Sequence, residues 1–278
     1  MFPILRKSLF LITVLSFYSI AHGQRLKGFY QGYNEWGIIA GVSNYYGDLS
    51  HNYNLKQTQP SAGITYKYNR NGYFSYRFGL SYLKVGGTDE GHKVYDQRNL
   101  SFQTSIIELG GNIEFNFKRF GTSGNDAKGT VYVFTGLNAF YFNPTRLENK
   151  DIKLRRLRTE GTKTYSTIQP AIPLGIGYKR MFRQRRHKGA WIIGVEANWR
   201  KTFTDKLDDV DDTYMDYKDQ VNSFGQGNAD YGHPETLKGI DPFPAGTMRG
   251  DTHLKDWYYF IGLSLSYRFT PFICTRFN

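Results

Sequence analysis

What most constrains this sequence is a strict alternation of apolar and polar residues, plainest in the run Trp257 to Phe269. There Tyr259, Ile261, Leu263, Leu265, Tyr267 and Phe269 alternate with Phe260, Gly262, Ser264, Ser266 and Arg268. A period of two puts the first set on one face of a β-strand and the second on the other. The apolar face is graded, aliphatic in the middle and aromatic at both ends. A tilted strand crossing a bilayer needs about 9–11 residues and is flanked by interfacial aromatic girdles. Tyr259 to Phe269 fits that description. A sandwich strand in water alternates too, so the rest of the chain has to decide.

Seven further runs repeat the pattern, placing strands near residues 36–46, 62–69, 73–85, 99–117, 130–142, 168–180 and 190–203, ahead of the last at 257–269. Asn71-Gly72 between the second and third is a hairpin signal. The fifth run is apolar on both faces and leaves its orientation open. Eight is an even number, as an antiparallel barrel with both termini on one side requires. The connections run roughly 15, 3, 13, 12, 25, 9 and 53 residues, the odd-numbered ones tending to be longer. Outer-membrane barrels sort short turns to the periplasm and long loops to the outside in this way. The expectation is an all-β chain: an eight-stranded antiparallel transmembrane β-barrel with long extracellular loops, its closing strand pairing with the Trp36 strand.

Residues 1–23 have the form of a secretory signal peptide. Arg6 and Lys7 supply its positive start, Leu9 to Ile20 its apolar core and Ala21-His22-Gly23 a cleavage site. The barrel is then assigned to residues 24–278 and to the outer membrane of a Gram-negative cell. Composition agrees: 22 Tyr and 21 Phe accompany a mean hydropathy of -0.53, suiting an aromatic belt with polar loops. The formal charge of +12 is spread through turns and strands rather than gathered on one helix or patch, which argues against nucleic acid. A single cysteine, Cys274, excludes an intramolecular disulfide framework.

If the apolar faces meet lipid, the opposite faces line the lumen. They carry Lys67, Arg77, Lys179, Arg200 and Arg268 with Glu108, Glu114 and Glu196. An eight-stranded lumen is only wide enough for side chains to fill, and buried charges must be paired. An ionic plug is therefore expected ahead of a conducting pore. Near the longest loop's base, Asp205, Asp208, Asp209, Asp211 and Asp212 cluster carboxylates of a kind that suits calcium. The spacing lacks the glycine of an EF-hand loop, so a solvated acidic loop is expected ahead of a metal site. The run Arg180 to Lys188 holds Arg183, Arg185, Arg186 and Lys188 in a predicted periplasmic turn. Two readings stay open there: a contact for acidic headgroups or an acidic protein face, and a solvated hairpin tip. The mature histidines, His51, His92, His187, His233 and His253, all fall outside the strands, and none accompanies a G-x-S-x-G nucleophile motif. Neither an enzyme nor a cofactor is indicated.

Four stretches resemble the PorG-like outer-membrane barrel family of the type IX secretion system in Bacteroidetes. The first is Glu35-Trp36-Gly37 with Gly41-Val42-Ser43-Asn44-Tyr45-Tyr46-Gly47-Asp48-Leu49. The second is Arg98-Asn99-Leu100-Ser101-Phe102 with Glu108 downstream. The third comprises Thr159-Glu160-Gly161, Tyr165-Ser166 and Ile172 to Lys179. The fourth is Thr204 to Val210, where Lys206 replaces an expected aromatic. The resemblance implies a non-enzymatic envelope component. It would associate with a periplasmic ring of PorK- and PorN-like proteins, besides outer-membrane lipid, and support protein export and gliding. Arg183, Arg185, Arg186 and Lys188 would then contact an acidic surface of the ring. Asp241-Pro242-Phe243-Pro244 in the last loop matches no part of that pattern. A porin-like or surface-binding barrel outside the secretion machine is the alternative, with a lipid-modifying enzyme behind it.

Overall fold

Hydrogen-bonded neighbours close on themselves in the order β1-β2-β3-β4-β5-β6-β7-β8, every pair antiparallel. The computed structural model describes residues 32–50, 57–90, 96–122, 125–160, 165–183, 189–250 and 255–269. The strands are β1 (Tyr33–Tyr46), β2 (Gln59–Asn69), β3 (Phe74–Thr88), β4 (Ser101–Asn116), β5 (Gly129–Tyr141), β6 (Ile168–Arg183), β7 (Ala190–Thr202) and β8 (Trp257–Phe269). The fold is thus the closed eight-stranded antiparallel barrel that the alternation predicts. Its seam is the β1–β8 ladder, from Asn34 opposite Phe269 to Tyr46 opposite Trp257. Closure leaves no unpaired strand edge.

Several strands outrun their expected limits. β6 continues through the backbone of Arg183, so Arg180 belongs to a strand and projects from its exposed face rather than sitting in a turn. The fifth run resolves its orientation in β5. Val131 and Leu137 are exposed on the outside, while Tyr132, Phe134 and Phe140 fill the lumen. Both faces are apolar because this part of the lumen is packed with rings. Gly175 of β6 makes room for one of them, since a Cβ there would collide with the Phe134 ring.

Outside, the barrel is apolar where a water-soluble domain would be polar. Leu109, Leu137 and Leu263 are 64, 71 and 66% exposed in mid-strand, far from any protein core. Aromatic residues ring both ends of this band. Trp36, Tyr68, Phe117, Trp191 and Phe269 lie toward the short-turn end, and Tyr46, Tyr82, Tyr141 and Trp199 toward the long-loop end. So large a contiguous apolar surface has to be covered. Among the described residues no helix is long and apolar enough to cross a membrane. That leaves the strands.

The loop segments at the far end are structured. After β5 comes a helical turn, α1 (Leu154–Leu157). After β7 come α2 (Tyr217–Phe224), α3 (Gln226–Gly232) and a 3-10 turn at Pro234–Lys238. Asp216 caps α2 by accepting from the Lys218 and Asp219 N–H groups, and Gly225 follows at φ 85°. Loop residues Leu49, Leu100, Leu154, Leu157, Leu207 and Val210 join Tyr45, Leu83, Phe102, Phe142 and Tyr258 of the barrel in one buried apolar cluster. That cluster stoppers the mouth.

Candidate functional site

Beneath the stopper the lumen is crossed by ion pairs. Nearest the turn end, Glu114 of β4 takes Lys67 of β2 at 2.9 Å on one oxygen and Lys179 of β6 on the other. One level up, Arg77 of β3 holds Glu196 of β7 with two nitrogens, at 2.7 and 2.9 Å, while the Tyr132 hydroxyl donates to Glu196 at 2.8 Å. Higher still, Arg200 of β7 bonds Glu108 of β4 at 3.0 Å, and the Tyr258 hydroxyl donates to Glu108 at 2.6 Å. These seven charged side chains are all buried. Arg268 stands apart. It is half-buried at the turn end, its guanidinium lying 4.0 Å from the centre of the Tyr33 ring and donating to the Gly121 carbonyl. A small cavity lined by Arg77, Glu196, Arg200 and Ser81 on one side and Ile39, Leu83 and Phe260 on the other has room for about one water molecule.

Pattern reading of the sequence missed part of this network. Glu35 is fully buried at the turn end with the Asn69 amide 3.0 Å away, and Tyr132 and Tyr258 supply hydroxyls to the carboxylates above. Their positions on lumen-facing strand residues were the available signal.

The second constellation lies in the cap, and it corrects the reading of the acidic segment. Asp205, Asp208 and Asp209 are not a solvated run; each is buried. The Tyr45 hydroxyl is 2.6 Å from Asp208 Oδ2 and 2.6 Å from Asp256 Oδ1, joining β1 to both ends of the last loop. The Val210 N–H donates to Asp208 and the Leu207 N–H to Asp256. Asp209 accepts from the Tyr165 hydroxyl at 2.8 Å. Arg249, 2% exposed, donates to the Thr159 hydroxyl, the Asp209 carbonyl and Glu160. Glu160 also takes Lys206 at 2.6 Å, and Lys206 reaches Asp211 at 2.9 Å. Among the described residues no three acidic, histidine or cysteine side chains are placed to hold a metal; Asp208, Asp209 and Asp256 turn to protein donors, while Asp205 has Lys255 nearby at 3.6 Å. Asp212, the remaining calcium candidate, is exposed at the edge of the cap.

Burial governs the electrostatics here. It pushes Asp256 up to about 7, with Asp48 and Asp211 adding repulsion, and Asp208 rises well above the carboxylate range for the same reason together with the nearby Asp256. Burial with Asp256 and Asp211 close by takes Asp205 to about 8, and burial takes Asp209 to about 6 against the pull of Arg249. Burial would raise Glu160 as well, but Arg249 and Lys206 beside it hold it below the ordinary range.

Gly47 follows from this packing. A Cβ there would run into the Tyr45 hydroxyl and Asp256, so the Tyr45-Tyr46-Gly47-Asp48 stretch needs glycine to seat the cap. Phe102 packs edge-on against Tyr45 at 4.8 Å, and Arg98 binds Asp89 and the Arg249 carbonyl. Parts of all four stretches singled out in the sequence therefore meet in the cap, at Tyr45, Phe102, Glu160 and Asp208, while Glu35 and Lys179 of the same stretches lie at the turn end.

A family described as a domain of unknown function, DUF6089, matches residues 11–232. The chain belongs to it. No curated protein matches this DUF6089 chain. Solved barrels resemble it in fold. Ail, the attachment invasion locus protein of Yersinia pestis, in complex with the heparin analogue sucrose octasulfate, shares 10% identity at a TM-score of 0.40, covering 86% of this chain and 99% of its own. Neisserial surface protein A shares 9% at 0.39, covering 85 and 97%. Outer membrane protein OprG from Pseudomonas aeruginosa shares 10% at 0.38, covering 84 and 95%. At such identities the likeness concerns fold alone. The DUF6089 match ends before Arg249, Asp256 and β8, yet these complete the cap and close the barrel.

Arg185, Arg186 and Lys188, the Arg183 side chain and the signal segment 1–23 lie outside the described residues, as do His51, His92, His187, His253 and Cys274. His233 is described and buried. One ring nitrogen lies 3.0 Å from Glu235 and the other 3.1 Å from the Met215 carbonyl, so it braces the last loop and engages no serine.

Proposed function

We propose that this DUF6089 chain is a non-enzymatic outer-membrane barrel serving as a rigid anchor rather than a pore. The observation that carries this reading is the lumen. Seven buried charged side chains cross it in hydrogen-bonded pairs inside a shell whose outer face is apolar. Separating such pairs to pass solute leaves charges unsatisfied at several kcal/mol each. A steady open conductance in planar bilayers would overturn the anchor reading.

The anchor holds, in the finer form of the proposal, the periplasmic ring of a type IX secretion and gliding machine. Support comes from the resemblance to PorG-like barrels and from the way parts of its four stretches come together in one built cap. The basic run Arg183, Arg185, Arg186 and Lys188, between β6 and β7 in sequence, is assigned to an acidic face of PorK- or PorN-like ring proteins. Affinity purification from native membranes in mild detergent tests this. Co-purified ring proteins, lost when all four residues are changed to Ala, are the expected result. A barrel recovered alone would instead favour a surface-binding role for the loop cap.

A further inference from the structure

We propose that the cap over the loop-side mouth is latched by a proton shared between Asp208 and Asp256 through the Tyr45 hydroxyl. The geometry requires the proton. A phenol has one hydrogen, yet its oxygen lies 2.6 Å from a carboxyl oxygen on either side. With both carboxyls ionised, Tyr45 could donate to only one, and the other would press its negative charge on the phenol oxygen. With one carboxyl protonated, the chain is complete: that carboxyl donates to Tyr45, and Tyr45 donates to the other. The far oxygens are already occupied by the Val210 and Leu207 N–H groups.

The surroundings give no substitute for the proton. From the turn after β1, Asp48 faces the pair; from the last loop, Asp205 and Asp211; from the β5–β6 loop, Tyr165. The cations at this level hydrogen-bond other groups, and Arg249 attracts Asp208 only from beyond hydrogen-bond distance. Arg249 serves Glu160, Thr159 and the Asp209 carbonyl, Lys206 serves Glu160 and Asp211, and Lys255 lies 3.6 Å from Asp205. Tyr45 and both aspartates are buried, so no water shell replaces the missing charge.

The sign follows from linkage. The closed cap binds a proton that solvent-exposed carboxylates release near pH 4, so closure weakens as pH rises from there through about 7. Opening releases residues 203–250 and uncovers Tyr45, Leu49, Phe102, Leu207 and Val210.

The test is hydrogen exchange on the full chain in lipid nanodiscs, read as protection factors for residues 204–215 at pH 5.5 and 8.5. Protection should be higher at pH 5.5, by on the order of thirty-fold from this one proton. Asp205 and Asp209 add their own slopes, so Asp256→Asn isolates the pair. The amide mimics the protonated carboxyl, donating to Tyr45 and accepting from Leu207. The wild-type ratio between the two pH values should shrink by about that thirty-fold in the variant, with protection at pH 8.5 rising. Wild-type protection equal at both values, or an unchanged ratio in Asp256→Asn, overturns the latch. Should that variant fail to insert, Asp208→Asn is read in the same way, and the wild-type comparison stands without either.

Discussion

Arg77 and Glu196, 119 positions apart in the chain, meet through two parallel hydrogen bonds across the barrel lumen. Both are buried, so the pair cannot be broken by halves without stranding a charge. Glu196→Gln is expected to lower unfolding stability in micelles by about 3–5 kcal/mol, and the double change Arg77→Met with Glu196→Leu by clearly less. Urea titrations of wild type, both single variants and the double variant measure it. Equal losses for the single and double variants would contradict a desolvated pair.

Glu114 carries a heavier duty, because two ammonium groups rely on it. Glu114→Gln leaves Lys67 and Lys179 facing each other in a closed lumen, whereas Lys67→Met leaves Lys179 still paired. The Gln variant is expected to be the less stable by about 2 kcal/mol or more. The same titrations at pH 7 check it.

These two sites show what a one-dimensional reading reaches. Period-two alternation told which face of β2, β3, β4, β6 and β7 looks inward, so the charged lumen residues stood out. Their pairing did not, because barrel shear rather than sequence distance selects Arg77 for Glu196 and Arg200 for Glu108. β5 hid its orientation because rings fill the lumen at its level. The acidic segment misled for a related reason: its donors, Tyr45, Tyr165 and Arg249, come from three distant parts of the chain. α2 went unread within the long last loop, although Asp216 and Gly225 bracket its eight residues as start and stop signals.

Gly47→Ala tests whether cap and barrel are separable. The added methyl meets the Tyr45 hydroxyl and Asp256, both fixed by hydrogen bonds, so the loop end has to shift. Overpacking of this kind costs about 1–3 kcal/mol. The expected outcome is faster proteolysis between residues 203 and 256 while heat-modifiable migration, the sign of an intact barrel, is retained. Simultaneous loss of both would mean that the cap is required for the barrel to form.

Arg249 and Glu160 set the acid limit of the same cap. Arg249 is buried and joins the last loop to the β5–β6 loop through Glu160 and Thr159. Glu160 is held below the ordinary carboxylate range, so the stability it lends is present above the unfolded value near 4 and is lost as pH falls through the lower folded value. Asp256 works in the opposite sense, its contribution falling away between about 4 and 7. The two together predict a maximum in cap protection close to pH 4, with a decline on both sides. Arg249→Met removes the partner that depresses Glu160, which should shift the acid limb upward and lower protection at pH 5.5 by about 3 kcal/mol or more; Asp209, freed from the pull of Arg249, should titrate higher on the alkaline side. Exchange or proteolysis profiles from pH 3 to 9 separate the limbs. An acid limb that stays where it was in the Met variant would show that Arg249 does not hold Glu160 in the closed cap.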